Sequence, residues 1–391
     1  MLLALAIAAA ATCHLSGQSL AVARPFSPHM VLPAGKATTL TGTAMPGKSI
    51  AVHLAGHALG TSAGSDGKWS VTLPVMPATA AAMTLTITCG KDSLVLDDIL
   101  AGEVWLASGQ SNMAYPMVNA IGGKAALAGA DIPGLRLCAL AAPATTDRAF
   151  SPDERARLSP SKLFTGNWQR STPTSAAGFS AIAWWAAKLR HERTGIPIGI
   201  IGNAVGGSGT EAWVPPAWLA KDPDTAPLLA GTWLDHPKIS AWARGRAKQN
   251  LGDAVDRSHP FMPGILFSAG VEWWRGYPLA GVLWYQGETN AEIHDPEWNG
   301  KLLRGVILGW RDALGQPDLP FHVVQLPRIG GTDPLRRFWP EYRALQNSVA
   351  ASLPHTRLIV TSDLGYDSPD VHPPDKLPVA RRMEQSMATP P

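Results

Sequence analysis

The stretch WLASGQSNMAYP, residues 105–116, passes from an apolar run into a glycine and then into Ser111, flanked by two side-chain amides, Gln110 and Asn112. Together with Glu103 and Val104 before it, the run reads as a buried strand that delivers a polar cluster at its end. Further such runs follow. IPIGIIGNAVGG is a buried strand entering a glycine turn, and LAGVLWYQGETN is another. PFHVVQLP and TRLIVTSDLG complete the set. Between them lie helical segments: AGFSAIAWWAAKLRHERTG, closed by Gly195, then WNGKLLRGVILGWRDALG and EYRALQNSVAAS. Buried strands alternating with helices predict an α/β domain whose parallel sheet is covered on both faces. Ligands in such sheets bind beyond the C-terminal ends of the strands, where these polar clusters fall.

Upstream the texture is different. From about residue 24 to 98 the runs TTLTGTA, SIAVHLAG, KWSVTLPV and MTLTITC are separated by MPGK, SDGK and MPATAA. Thr/Val/Ile-rich runs with this punctuation predict a small antiparallel β-sandwich. The first residues, MLLALAIAAAATCHLSGQSLAVA, carry an apolar stretch and the small-residue pattern Ala21-Val22-Ala23, as in a secretory leader. The expected organisation is a signal peptide over 1–23, a β-sandwich over 24–98 and an α/β domain over 99–391. The expected location is secreted or periplasmic.

Composition narrows the function classes. Hydrophobic residues make up 46% of the 391 and charged residues 16%, which is a globular composition. With 33 basic against 30 acidic residues and no basic run, nothing marks a nucleic-acid partner. No later segment reaches the roughly 18 uninterrupted apolar residues of a membrane span. The 3 cysteines are too few for a disulfide scaffold. Beyond the leader's Cys13, the expectation is either a Cys89–Cys138 pair or two buried thiols. No Cys/His spacing suggests a metal, so neither metal nor cofactor is expected.

One motif misleads. GTSAG, Gly60–Gly64, has the G-x-S-x-G spacing of a nucleophile elbow, but turn and strand text follows it where a helix is needed. Ser111 has the better placement. A serine hydroxyl needs a base, and DSPDVHPPDK offers His372 with Asp370 two residues before it. Asp367, and less readily Asp363, are alternative acids. Acyl transfer also needs donors for an oxyanion: the Ser111 amide, the Gly206–Gly207 turn and the Gln286 side chain are candidates. Trp213, beside Glu211, is a candidate for stacking on a sugar ring.

Four blocks in order, GEVWLASGQSNM, AVGGSGTEAW, GVLWYQGETNA and DVHPPDK, framed by FSPHMVLP and DLPFHVVQLP, resemble the sialate O-acetylesterase family, a branch of the SGNH hydrolases. The resemblance runs from about residue 25 to 382. It implies a three-layer, flavodoxin-like SGNH hydrolase domain behind the β-sandwich, and hydrolysis of O-acetyl esters on sugars. It implies Ser111 as nucleophile and His372 as general base. Gly207 and Gln286 would join the Ser111 amide as oxyanion donors. Asn112, Glu288, Asn290 and Arg343 match family positions, with roles in binding substrate or supporting the site. The wider superfamily often carries its acid three residues before the histidine, where this chain has Pro369. The chain stops at Pro391, where longer relatives carry further β structure, so a short form or a truncated gene is expected. The substrate expected first is an O-acetylated sialic acid, with acetyl-xylan or another plant glycan as the alternative. A sugar-binding protein on an inactive scaffold is the reading from another class.

Overall fold

The computed structural model describes residues 19–230, 233–253 and 258–389. The expected leader lies outside them except for 19–23, and Cys13 lies outside them too.

The chain opens with short strands: β1 (Ala21–Val22), β2 (Val31–Pro33), β3 (Thr38–Thr43), β4 (Ser49–Leu54), β5 (His57–Ser62), β6 (Lys68–Leu73) and β7 (Thr79–Cys89). β1, β3 and β6 form one antiparallel sheet; β4 pairs antiparallel with both β5 and β7. GTSAG falls on β5 and the turn into β6, with no helix after it.

β8 (Asp92–Gly109) joins the two halves. Its first part pairs with β7, and its last part runs between parallel neighbours in the central sheet. The expected domain boundary at 98/99 therefore lies inside one continuous strand. Asp98 marks the place with φ +52, and its carboxylate meets His29, Arg136 and Arg170 at 2.9, 2.9 and 3.1 Å.

The remaining strands are β9 (Ile132–Ala139), β10 (Trp168–Ser171), β11 (Ile198–Ala204), β12 (Gly281–Tyr285), β13 (Phe321–Val324) and β14 (Thr356–Ile359). The central order is β10-β9-β11-β8-β12-β13-β14, parallel throughout except for edge strand β10. The chain is thus a mixed α/β protein with a large, mostly parallel sheet. From β8 the chain first builds outward on the β11 side and then on the β12 side. This makes the C-terminal end of β8 a topological switch point, where side chains from both halves meet over an open crevice.

Alternation along β8 sends side chains to opposite faces. Val104 and Leu106 lie in one buried apolar cluster with Trp298, Leu302 and Trp310 of the helix Pro296–Leu314; Trp105 and Ala107 lie in a second cluster, with residues of the helices Ala181–Thr194 and Leu377–Ala388. The helix Ala181–Thr194 starts at Ser180, whose hydroxyl accepts from the Ala183 amide at 3.2 Å, and stops at Gly195 with φ +70. Cys89 and Cys138 are buried free thiols rather than a pair, and burial pushes the Cys138 thiol up to about 12.

Candidate active site

β8 ends on Gly109 because no other residue fits. Its φ is +140, and a Cβ there would lie 2.0 Å from the Tyr285 carbonyl oxygen on β12. The Gln110 amide then donates to that same carbonyl at 3.0 Å, and Ser111 opens a single helical turn, Ser111–Ala114. An amide at the start of such a turn has no partner within it. The Ser111 N–H has none elsewhere among the described residues.

The turn after β11 packs over the serine. A Cβ on Gly206 would sit 3.6 Å from Ser111 Cβ. Gly207 has φ +75, and a Cβ on it would lie 2.5 Å from the Trp242 ring and 3.1 Å from Phe261. Its N–H is also without a partner among the described residues. Opposite lies His372, whose Nδ1 is 2.9 Å from Asp370 Oδ1; the His372 backbone N–H donates to the same oxygen at 3.0 Å. Partial burial opposes the Asp370 charge, but these contacts with His372 prevail and hold its carboxyl below the usual range. Asp367 makes no such contact with the ring. Ser111, Gly206, Gly207, Glu288, Trp242 and His372 line one open pocket of about 490 Å³. Ser111 Oγ and the imidazole face this common space without a hydrogen bond between them.

Other expected residues stand behind the pocket wall. Gln286 is 1% exposed and is not among the lining residues. Its Nε2 donates to Asn290 Oδ1, Gln110 Oε1 and Ser208 O at 2.7, 3.2 and 3.3 Å, while its Oε1 accepts from Thr210 Oγ1 at 2.6 Å. An amide committed in this way has no N–H aimed at a substrate, so the expectation of Gln286 as an oxyanion donor does not match its placement. Asn290 is buried beside it, accepting from the Thr210 amide at 2.8 Å and donating to Glu211 Oε2 at 3.1 Å. Arg343 donates to the Pro327 carbonyl at 3.2 Å and also stays off the pocket. Trp213 is 0% exposed, stacked edge-on against Trp284 with centroids 5.9 Å apart, and offers no face to a sugar.

Two expected residues do bear on the pocket. Glu288 lines it, and burial, opposed by the Asn112 contact, raises its carboxyl above the usual range. Asn112, fully buried, donates to Glu288 Oε1 at 2.5 Å and to the Val371 carbonyl at 2.8 Å, tying the Ser111 turn to the His372 loop.

Sequence reasoning missed two residues. Trp242, 44% exposed on the helix Ala241–Leu251, forms the rim beside Gly207. That helix starts at Ser240, whose hydroxyl donates to Glu292 Oε2 at 2.7 Å, and Arg336 holds the other oxygen of Glu292 at 3.1 Å. A lone Trp in the polar text AWARGRAKQN was the available signal. The other is Lys376, in the quoted block DVHPPDK, which the fold buries against Asn112.

The chain is similar to known proteins. The family model "SASA: Carbohydrate esterase, sialic acid-specific acetylesterase" matches residues 236–387, which include Glu288 and His372. Rat sialate O-acetylesterase is 27% identical over 346 residues, covering 82% of this chain and 62% of that protein. The human sialate O-acetylesterase is 27% identical over 314 residues, covering 74% of this chain and 54% of that one. The chain thus spans somewhat under two thirds of the length of these relatives. The crystal structure of a carbohydrate acetylesterase from Xanthomonas citri superposes with a TM-score of 0.75 at 28% identity, covering 94% of this chain and 74% of that one. On the ordered motifs, the shared fold and these likenesses together, the chain is similar to the sialate O-acetylesterase family of carbohydrate esterases.

Proposed function

We propose that the protein is a serine esterase that removes O-acetyl groups from carbohydrates, through an acetyl-enzyme on Ser111. The observation that carries this reading is the Asp370–His372 pair, 2.9 Å apart, facing the same pocket as Ser111. Asp370 accepts a hydrogen bond from Nδ1–H and so leaves the Nε2 lone pair for the serine. His372 takes the Oγ proton as Ser111 attacks the ester carbonyl, then gives it to the departing sugar hydroxyl. Water repeats the cycle on the acetyl-enzyme and releases acetate. The unpartnered amides of Ser111 and Gly207 receive the developing oxyanion, and Gln286 supports the wall behind them. The missing Ser111–His372 hydrogen bond fits a site that tightens when substrate enters.

The names of the relatives favour an O-acetylated sialic acid as substrate, and the Trp242 rim gives any pyranose ring an apolar face to lie on. On this reading, residues 24–98 are a β-sandwich, 99–391 a three-layer SGNH hydrolase domain, and the leader 1–23 sends the protein to the periplasm or outside the cell.

The test is turnover of p-nitrophenyl acetate by Ser111→Ala. The variant should fold and lose activity by about three orders of magnitude or more. Retention of more than about a tenth of wild-type turnover would remove Ser111 from the mechanism. Mass-spectrometric release of acetate from O-acetylated sialic acid, acetylated xylan and acetylated pectin then assigns the sugar.

A further inference from the structure

Beneath the Asp370–His372 loop lies a buried lysine amine that the reaction as written does not use. Lys376 directly precedes the helix Leu377–Ala388 and is 1% exposed. Its Nζ donates to Asn112 Oδ1 at 2.5 Å and sits 4.5 Å from the centroid of the Tyr115 ring. The groups around it come from three segments: Asn112 and Tyr115 from the Ser111 turn, Glu288 from the loop after β12, and Asp370 from its own loop.

The side-chain amide of Asn112 can be placed in two ways, with oxygen and nitrogen exchanged. The Val371 carbonyl only accepts, whatever the charge on its neighbours, and the Lys376 amine and the Glu288 carboxyl stand as donor and acceptor when charged. With Lys376 present, a single placement satisfies all three: oxygen toward Nζ, nitrogen toward Glu288 and Val371. The exchanged placement would set donor against donor and acceptor against acceptor. Asn112 immediately follows Ser111, and Val371 immediately precedes His372, so this amide links the two halves of the reacting pair. We propose that Lys376 is a positioning residue that locks the Asn112 amide and, through it, sets His372 against Ser111.

The inference rests on the serine-esterase reading above. A second observation supports it. Burial pulls Lys376 down to about 7 while Glu288 and Asp370 resist, so the fold buries a polar amine at a desolvation cost, and an apolar side chain in its place would leave Asn112 Oδ1 unpaired.

The experiment is a double-mutant cycle on the full chain, read as kcat and KM for p-nitrophenyl acetate. It compares wild type, Ser111→Ala, Lys376→Met, Asn112→Ala and the double variant Lys376→Met/Asn112→Ala. Lys376→Met should lower kcat about tenfold or more while changing KM less than about threefold. The double variant should lose no more than Asn112→Ala alone, because the lysine acts only through that amide. A Lys376→Met kcat within about twofold of wild type, or losses that multiply in the double variant, would overturn the proposal. If Lys376→Met does not melt cooperatively, Lys376→Gln, which keeps an N–H donor without charge, takes its place. It should recover part of the activity and show the same non-additivity, and independent losses would again overturn the proposal. Ser111→Ala separates the two levels. Activity surviving in that variant removes the esterase reading and this inference with it; loss there beside an unaffected Lys376→Met removes this inference alone.

Discussion

Asp370 and Gln286 show how single side chains decide roles that residue type leaves open. Asp370 lies two residues before His372 and takes both the ring nitrogen and the backbone N–H of that histidine on one oxygen. Asp370→Asn keeps the shape but favours the wrong tautomer, so kcat should fall on the order of 10²–10⁴-fold with little change in KM. Asp367→Asn should leave both close to wild type, and the opposite pattern would transfer the role to Asp367. The contacts with His372 keep the Asp370 carboxyl below the usual range, so it stays charged as pH falls through ordinary aspartate titration. Gln286 gives the complementary case. Removing its amide in Gln286→Ala takes away the acceptor of the buried Thr210 hydroxyl, at about 1–3 kcal/mol for a group left unpaired. Thermal melting should drop clearly, with the loss of kcat following the loss of stability. A fall in kcat of about 10²–10³ at unchanged melting temperature would return Gln286 to the oxyanion hole. The pattern of motifs made both residues visible in the sequence; the direction each one faces was not, because it depends on partners far away in the chain.

At the scale of elements, strand ends and helix starts build the site. β8 brings Ser111 to the sheet's C-terminal edge, and Gly109 lets the chain pass against β12 where any Cβ would collide with its backbone. The strands and the Gly195 stop were legible because apolar alternation and a left-handed glycine are local properties. The helix Ala241–Leu251 was not singled out, since its apolar residues form no clear stripe, yet it carries Trp242 to the rim. Its start at Ser240 is held through Glu292 and Arg336, so the indole stands on a braced wall. Trp242→Ala removes the half-exposed face, which at the usual area coefficient contributes about 1 kcal/mol, or roughly fivefold in KM for an acetylated sugar. The KM for p-nitrophenyl acetate, which lacks a sugar ring, should rise less. Equal rises for both substrates would show that Trp242 serves the Gly207 turn and not the sugar.

For the molecule as a whole, the β-to-α/β change of texture near residue 98 is real, but it lies within the continuous strand β8 rather than at a linker. No composition signal announces such a junction, since a strand passing from one sheet to another remains a run of apolar and polar residues. The sequence by itself determined the α/β alternation, the order of the four motif blocks and the strand ends at which Ser111, Gly207 and Glu288 would lie. It also brought Asp370 and His372 close together, two positions apart. These are statements about periodicity and short spacing, which neighbouring residues settle among themselves. Only the tertiary structure decided that Gln286 and Asn290 turn inward, that Trp213 is core while Trp242 is rim, and that Lys376 grips Asn112 across 264 positions of chain. Beyond a strand end the backbone no longer dictates which way a side chain points. Burial and the hydrogen-bond partners brought up by distant segments do, and those partners exist only once the chain has folded.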